Sequence, residues 1–222
     1  MTDFAAARRM MVDGQIRTSD VFDPRLLAAM LSLPRERFVP PQQTGLAYLD
    51  LTVPVADGPG GAARRLLTPR TLAKLIQAAQ PGDTDRVLDI GCATGYAAAL
   101  LGRLAGSVVA LDDDKELARQ AERAIADADV DNVEVVSGAL TGGWQAGAPY
   151  DIILIEGAIE ILPQAVTSQL RDGGRLVCIR GRGPAAKAML YRSDMGEISG
   201  RAVFDAAAPL LPGFAEPAAF VF

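Results

Sequence analysis

The chain has 222 residues, half of them apolar, which suffices for one domain of ordinary size with a sizeable core. A formal net charge of −5 and a pI near 4.8 give no long-range attraction to nucleic acid or to an anionic membrane, so neither is expected as a partner. There is no histidine, which removes Ser-His-Asp and Cys-His catalysis and most zinc sites, and no metal is expected.

No apolar run approaches the ~20 residues that span a bilayer. The opening Met1-Thr2-Asp3-Phe4 has neither a basic region nor a signal core, so a cytoplasmic protein is expected, neither membrane-spanning nor secreted. Cys92 and Cys178 sit in or beside apolar strands and read as buried, reduced thiols.

Taken in order, Phe4, Met10, Met11 and Ile16 predict a helix from about Asp3 to Ile16, and Pro24 to Leu33 repeats the pattern. From Pro34 to Arg65 the periodicity breaks and a loop is expected. Thr68 then caps a helix that begins at Pro69 and runs to Gln80, where Pro81-Gly82 stops it. Beyond Arg86 strands and helices alternate: strand 87–90, helix 95–104, strand 107–111, helix 114–127, strands 133–136 and 151–155, helix 163–170, strand 175–180. That order predicts an α/β fold with a doubly wound, mainly parallel sheet of the Rossmann-like kind. Three β-like runs close the chain, Ala188–Tyr191, Ala202–Phe204 and Ala218–Phe222, suited to an antiparallel sheet edge. Residues 1–65 are expected to form a helical cap and substrate-loop segment, and 66–222 one compact ligand-binding unit.

The most informative stretch is Val87-Leu88-Asp89-Ile90-Gly91-Cys92-Ala93-Thr94-Gly95-Tyr96, a buried strand breaking into a glycine turn that opens a helix. The next strand, Val108 to Leu111, ends in Asp112. This is a βαβ nucleotide site, in which backbone N–H groups meet the ligand and the acid takes the ribose hydroxyls. A dinucleotide turn needs glycine where Ala93 and Tyr96 stand, and a P-loop needs a Lys-Ser/Thr pair where Ala97-Ala98 stand. A nucleoside ligand without phosphates survives, and S-adenosyl-L-methionine fits it. The alternative is a βαβ turn with no ligand.

Other segments carry a resemblance. Met11-Val12-Asp13-Gly14-Gln15-Ile16-Arg17, Leu33-Pro34-Arg35-Glu36-Arg37-Phe38-Val39-Pro40, Ala47-Tyr48-Leu49-Asp50, Gly143-Trp144, Ala148-Pro149-Tyr150-Asp151 and Gln169 to Val177 stand in the order and spacing of blocks in the protein-L-isoaspartate O-methyltransferase family. The chain resembles that family over nearly its whole length. The resemblance implies a seven-stranded methyltransferase sheet and methyl transfer from S-adenosyl-L-methionine to isoaspartyl residues of damaged proteins or peptides. It also implies a cofactor site drawn from Asp89, Gly91, Ala93, Gly95, Tyr96, Asp112, Ala139, Leu140 and Glu156.

The departures fall at functional positions. Ala93 replaces the second glycine of the family's G-x-G-x-G turn, and Gly138-Ala139-Leu140 replaces a G-D-G whose carboxylate serves the adenine end of the cofactor. In the acceptor motif I-S-x-P the serine position is Leu67, and Thr68 beside it is the candidate replacement in catalysis, although its plain role is the helix cap. Glu156 stands where the family carries a small or hydroxyl residue, which suits a different, cationic acceptor. Arg64 and Arg65 could clamp an acidic substrate bidentately, or could be exposed loop arginines. Three readings stay open: an isoaspartyl methyltransferase, a methyltransferase of the same fold with another protein or small-molecule acceptor, and a non-catalytic cofactor-binding or interaction protein.

Overall fold

A computed structural model describes residues 3–57 and 63–217. Asp3 caps the first helix, α1 (Phe4–Met11), by accepting from the Ala6 N–H, and the helical path widens into a π turn over Val12–Ile16. Asp23 caps α2 (Pro24–Ser32) in the same way. Both bury an apolar stripe that includes Met11, Ile16, Leu26 and Met30.

The segment expected as a loop is more ordered than its composition suggested. Two short 3₁₀ helices, Arg35–Phe38 and Pro41–Leu46, lead into an antiparallel hairpin of β1 (Val53–Asp57) and β2 (Ala63–Leu66), with Val53 opposite Leu66. In β2 the inward positions are Arg64 and Leu66. An arginine at a buried strand position hides the alternation that would have marked the strand. The expected boundary between Arg65 and Leu66 falls inside β2.

Thr68 caps α3 (Pro69–Ala79), and Gln80 ends it in a left-handed conformation. The main sheet then forms from β3 (Arg86–Ile90), β4 (Ser107–Asp112), β5 (Val133–Ser137), β6 (Tyr150–Ile159), β7 (Leu170–Arg180), β8 (Lys187–Asp194) and β9 (Glu197–Asp205). Their spatial order is β5-β4-β3-β6-β7-β8-β9, parallel from β5 to β7 and antiparallel from β7 to β9. Crossover helices α4 (Tyr96–Gly102), α5 (Lys115–Ala126) and the short α6 (Gln164–Thr167) connect the parallel strands. The apolar runs of β3, β4 and β6 follow from burial on both faces.

The helix expected over 163–170 shrinks to four residues because β7 begins at Leu170. Gln169 ends the helix: its side chain accepts from the Trp144 N–H and donates to the Gly142 and Ala165 carbonyls. The expected strands at Ala188–Tyr191 and Ala202–Phe204 lie within β8 and β9, whereas the run Ala218–Phe222 lies outside the described residues. After β9 the chain returns over the end of β6, where Ala158 N–H donates to Pro209 O and Leu211 N–H donates to Ala158 O, each at 2.9 Å. The winding reverses at β3, with β4 on one side and β6 on the other. Ligands collect at such a switch point, outside the carboxyl ends of the strands.

Candidate functional site

At the end of β3 the backbone turns through left-handed conformations at Gly91 (φ +81°), Ala93 (φ +49°) and Gly95 (φ +88°). Gly91 N–H and Cys92 N–H both donate to Leu111 O, which ties the turn to β4. Gly95 has a packing reason of its own: a Cβ there would lie 2.8 Å from Ile125 Cδ1 and 3.0 Å from Ala121 Cβ, so α5 could not pack so closely on the start of α4.

The three consecutive aspartates Asp112, Asp113 and Asp114, the first of which ends β4, divide the work. Asp112 is fully buried; its Oδ2 accepts from Ala93 N–H at 2.8 Å and its Oδ1 from Asp114 N–H at 3.0 Å. Arg64 Nη2 donates to the same Oδ2 at 2.7 Å, and Arg64 Nη1 donates to Asp113 Oδ1 at 2.6 Å. Asp114 caps α5 by accepting from the Glu116 and Leu117 N–H groups. Burial pushes the Asp112 carboxyl above its ordinary pKa, and the Arg64 guanidinium pulls it back.

A second buried cluster lies beside the turn. Asp89 on β3 is fully buried, neither of its carboxyl oxygens has a donor among the described residues, and burial pushes its pKa up to about 7. Glu156 on β6 lies close enough to hydrogen-bond to it when one of the two carries a proton. Glu156 too is raised well above the ordinary range, first by burial and then by the Asp89 charge. Arg35 approaches from the N-terminal segment and is also fully buried. Its Nε donates to Ala47 O at 2.9 Å, its Nη2 donates to Leu67 O at 2.8 Å, and the guanidinium carbon sits 4.5 Å from the centroid of the Tyr96 ring. Its charge faces Glu156 and Tyr96, and Nη1 has no partner among the described residues.

Of the residues named from sequence, Asp89, Gly91, Ala93, Gly95, Tyr96, Asp112 and Glu156 all come together at this turn or in the adjoining cluster. Leu140 packs into the core on the other face of the sheet and Ala139 beside it is exposed, while their neighbour Gly138 donates its N–H to Asp112 O. Arg64 is not an exposed loop residue: it is 7% exposed and engaged by Asp112 and Asp113, so it is not free to clamp a substrate carboxylate. Arg65 Nη1 donates to the carbonyl and hydroxyl of Thr52. Leu67 is buried. Thr68 Oγ1 accepts from Thr71 N–H at 3.1 Å, and its side chain lines a separate cavity of about 450 Å³ with Ser19, Lys74 and Phe204.

Two participants escaped the sequence. Arg35 lies in the segment Leu33 to Pro40 beside Glu36 and Arg37, and nothing local marks it, rather than Arg37, as the buried arginine. Leu211 belongs to Pro209-Leu210-Leu211-Pro212-Gly213, whose spaced prolines and glycine mark irregular chain rather than a strand.

Residues 7–205 match the family described as Protein-L-isoaspartate(D-aspartate) O-methyltransferase. A protein-L-isoaspartate O-methyltransferase 1 of Rhodopseudomonas palustris (strain HaA2) is 40% identical over 199 residues, covering 89% of this chain and 79% of the relative. One from Methanoregula boonei is 42% identical over 170 residues, covering 77% and 76%. Among solved structures, a protein-L-isoaspartate O-methyltransferase superposes with a TM-score of 0.81 at 23% identity, covering 93% of this chain and 66% of that one. A beta-aspartate methyltransferase from Plasmodium falciparum in complex with S-adenosyl-L-homocysteine superposes with a TM-score of 0.75 at 17% identity, covering 95% and 99%. At such identities the two superpositions speak for the fold.

Proposed function

Because the chain belongs to the protein-L-isoaspartate(D-aspartate) O-methyltransferase family, we propose that it transfers a methyl group from S-adenosyl-L-methionine to the carboxylate of isoaspartyl residues in damaged proteins or peptides. The observation that carries this reading is the buried Asp112 at the end of β4, hydrogen-bonded to the backbone of the glycine turn at the sheet's switch point. Asp89 supports the fit: a buried carboxyl without a donor suits a cationic group, and the cofactor carries an ammonium and a sulfonium.

When bound, S-adenosyl-L-methionine supplies an electrophilic methyl group. Asp112 would take the ribose hydroxyls, Gly91 and Ala93 would bring backbone close to the ligand, and Asp89 with Glu156 would face its cationic end. Ala139 stands where a carboxylate serves other members at the adenine end, and Leu140, turned into the core, leaves that end to other groups. A carboxylate acceptor is ionised at neutral pH, so a chain without histidine needs no general base. Its task is alignment, and near-attack positioning can supply ~7–11 kcal/mol.

A second reading, methyl transfer to a different acceptor, is favoured by the acceptor motif. Leu67 is buried and Thr68 caps α3, so no hydroxyl in that motif is free. We also place the protein in the cytoplasm, supported by two buried free thiols; among the described residues no helix is long and apolar enough to cross a membrane.

The deciding experiment is transfer of labelled methyl to an isoaspartyl peptide, with the matching aspartyl peptide as control, scored as base-labile ester. Isoaspartyl-selective transfer is expected. Cofactor binding without transfer to either peptide would move the assignment to another acceptor or to a non-catalytic binding role.

A further inference from the structure

The carboxylate assigned to the ribose already has an occupant. Arg64 straddles Asp112 and Asp113 at 2.7 and 2.6 Å, and with the Ala93 N–H it supplies both donors on Asp112 Oδ2, while Oδ1 accepts from the Asp114 N–H. A second side chain covers the turn itself. A Cβ on Gly91 would lie 3.3 Å from both Leu211 methyl carbons and 3.6 Å from Arg64 Nη2, and a Cβ on Gly157 would lie 2.5 Å from Leu211 Cγ. The room that two glycines leave beside the sheet is therefore filled by the chain itself, and the turn from Gly91 to Tyr96 is buried throughout.

The two covers come from different segments. Arg64 is carried by β2, before the sheet begins; Leu211 is carried by the segment after β9. That segment is fastened to β6 by backbone hydrogen bonds from Ala158 to Pro209, from Leu211 to Ala158 and from Glu160 to Phe214. Neither cover is a loop passing at random, since one makes a buried, charge-assisted pair and the other a paired backbone strap.

We propose that this is a self-capped state, in which Arg64 and Leu211 together occupy the nucleoside site, and that a ligand enters only when β2 releases Asp112 and the strap lifts Leu211 off Gly91. This rests on Asp112 being the ribose acid. Ribose hydroxyls and the Arg64 guanidinium compete for one carboxylate, so the apparent affinity is the intrinsic affinity reduced by the fraction of molecules that are open. Each cover sets that fraction.

The chain contains its own reporter. Cys92 lies in the turn, within electrostatic reach of Arg64, Asp112, Asp89 and Glu156, and its thiol is pushed well above the ordinary value by burial. Cys178 is equally buried in β7. Pulsed labelling of the native protein with a small thiol reagent, read by mass spectrometry, measures the rate at each cysteine. Arg64→Met and Leu211→Ala are each expected to speed labelling of Cys92 by about tenfold and to leave Cys178 unchanged, and both variants are expected to bind S-adenosyl-L-homocysteine at least about threefold more tightly by calorimetry. Unchanged labelling at Cys92 overturns the cap, as does a parallel rise at Cys178, which reports general loosening. Weaker binding in Arg64→Met overturns it too, by making Arg64 a ligand contact. If no form binds S-adenosyl-L-homocysteine while Cys92 still responds, the cap stands over a site whose ligand is not this cofactor. Leu211→Ala keeps the test alive should Arg64→Met fail to fold.

Discussion

Ala93 holds a left-handed backbone at φ +49°, and that conformation costs an L-residue about 1–2 kcal/mol. Its neighbours Gly91 and Gly95 adopt similar angles without that cost. Ala93→Gly is therefore expected to stabilise the fold by about 0.5–1 kcal/mol once the extra chain entropy of glycine is deducted. For a domain of this size that is a rise in Tm of about 1–4 °C in thermal melts. A fall in Tm would mean that the buried methyl group packs better than its backbone is strained. Asp112 carries a different kind of prediction, because its oxygens meet both the turn and the proposed ribose. Asp112→Asn keeps the shape but removes the charge, and hydrogen bonds to charged groups contribute about 1.5–3 kcal/mol. Binding of S-adenosyl-L-homocysteine, measured by calorimetry, is expected to weaken by about tenfold or more. Unchanged affinity would move the ribose elsewhere. Asp112 could be picked out from its neighbours in sequence because it ends an apolar strand; that Asp113 would pair with Arg64 could not, since β2 and β4 meet only in the folded chain.

Thr68 belongs to α3 before it belongs to any reaction. Its hydroxyl accepts from the Thr71 N–H, so Thr68→Ala is expected to destabilise by about 1 kcal/mol through the lost cap, with Thr68→Ser close to wild type. Methyl transfer by Thr68→Ala, assayed below its melting range, is expected to stay within about threefold of wild type; abolished transfer with an intact fold would make Thr68 catalytic after all. The helices and strands that show clear periodicity or a cap were legible from the sequence: α2, α3, α5 and every strand of the parallel sheet. Elements whose pattern is broken by function were not. β2 presents Arg64 inward, which reads as loop until Asp112 is seen beneath it. α6 stops early because Gln169 turns back onto the chain around Trp144, a contact no local pattern encodes. The two cysteines were legible as buried, and Cys178 is held up to about 12 mainly by its burial in β7.

The site is a seam between distant parts of the chain: the N-terminal segment brings Arg35, β2 brings Arg64, β3 and β6 bring Asp89 and Glu156, and the C-terminal segment brings Leu211. The family match ends at residue 205, short of the strap that carries Leu211. The buried acids tie this seam to the stability of the whole fold. Burial raises Asp89 to about 7 and Glu156 well above its ordinary value, with Arg35 opposing the shift at Glu156. In the unfolded chain both carboxyls lose their protons near pH 4. Between about pH 4 and pH 7 the folded protein therefore holds more protons than the unfolded chain. Stability contributed by these groups is full below that window and falls as pH rises through it, by up to about 1.4 kcal/mol per pH unit for each extra proton held. Asp112, also raised by burial, acts with the same sign. Glu160 and Asp205 are lowered by Arg182 and Lys187, so their opposite contribution is lost only on acidification below the ordinary carboxylate range. Thermal melts between pH 5 and 7 are thus expected to show a decline in Tm for the wild type. The slope should flatten in Asp89→Asn, where an amide donates to Glu156 and no proton has to be shared. A wild-type Tm that is level or rises across this range would mean that both buried acids are ionised in the folded protein, with Arg35 offsetting one of the two charges.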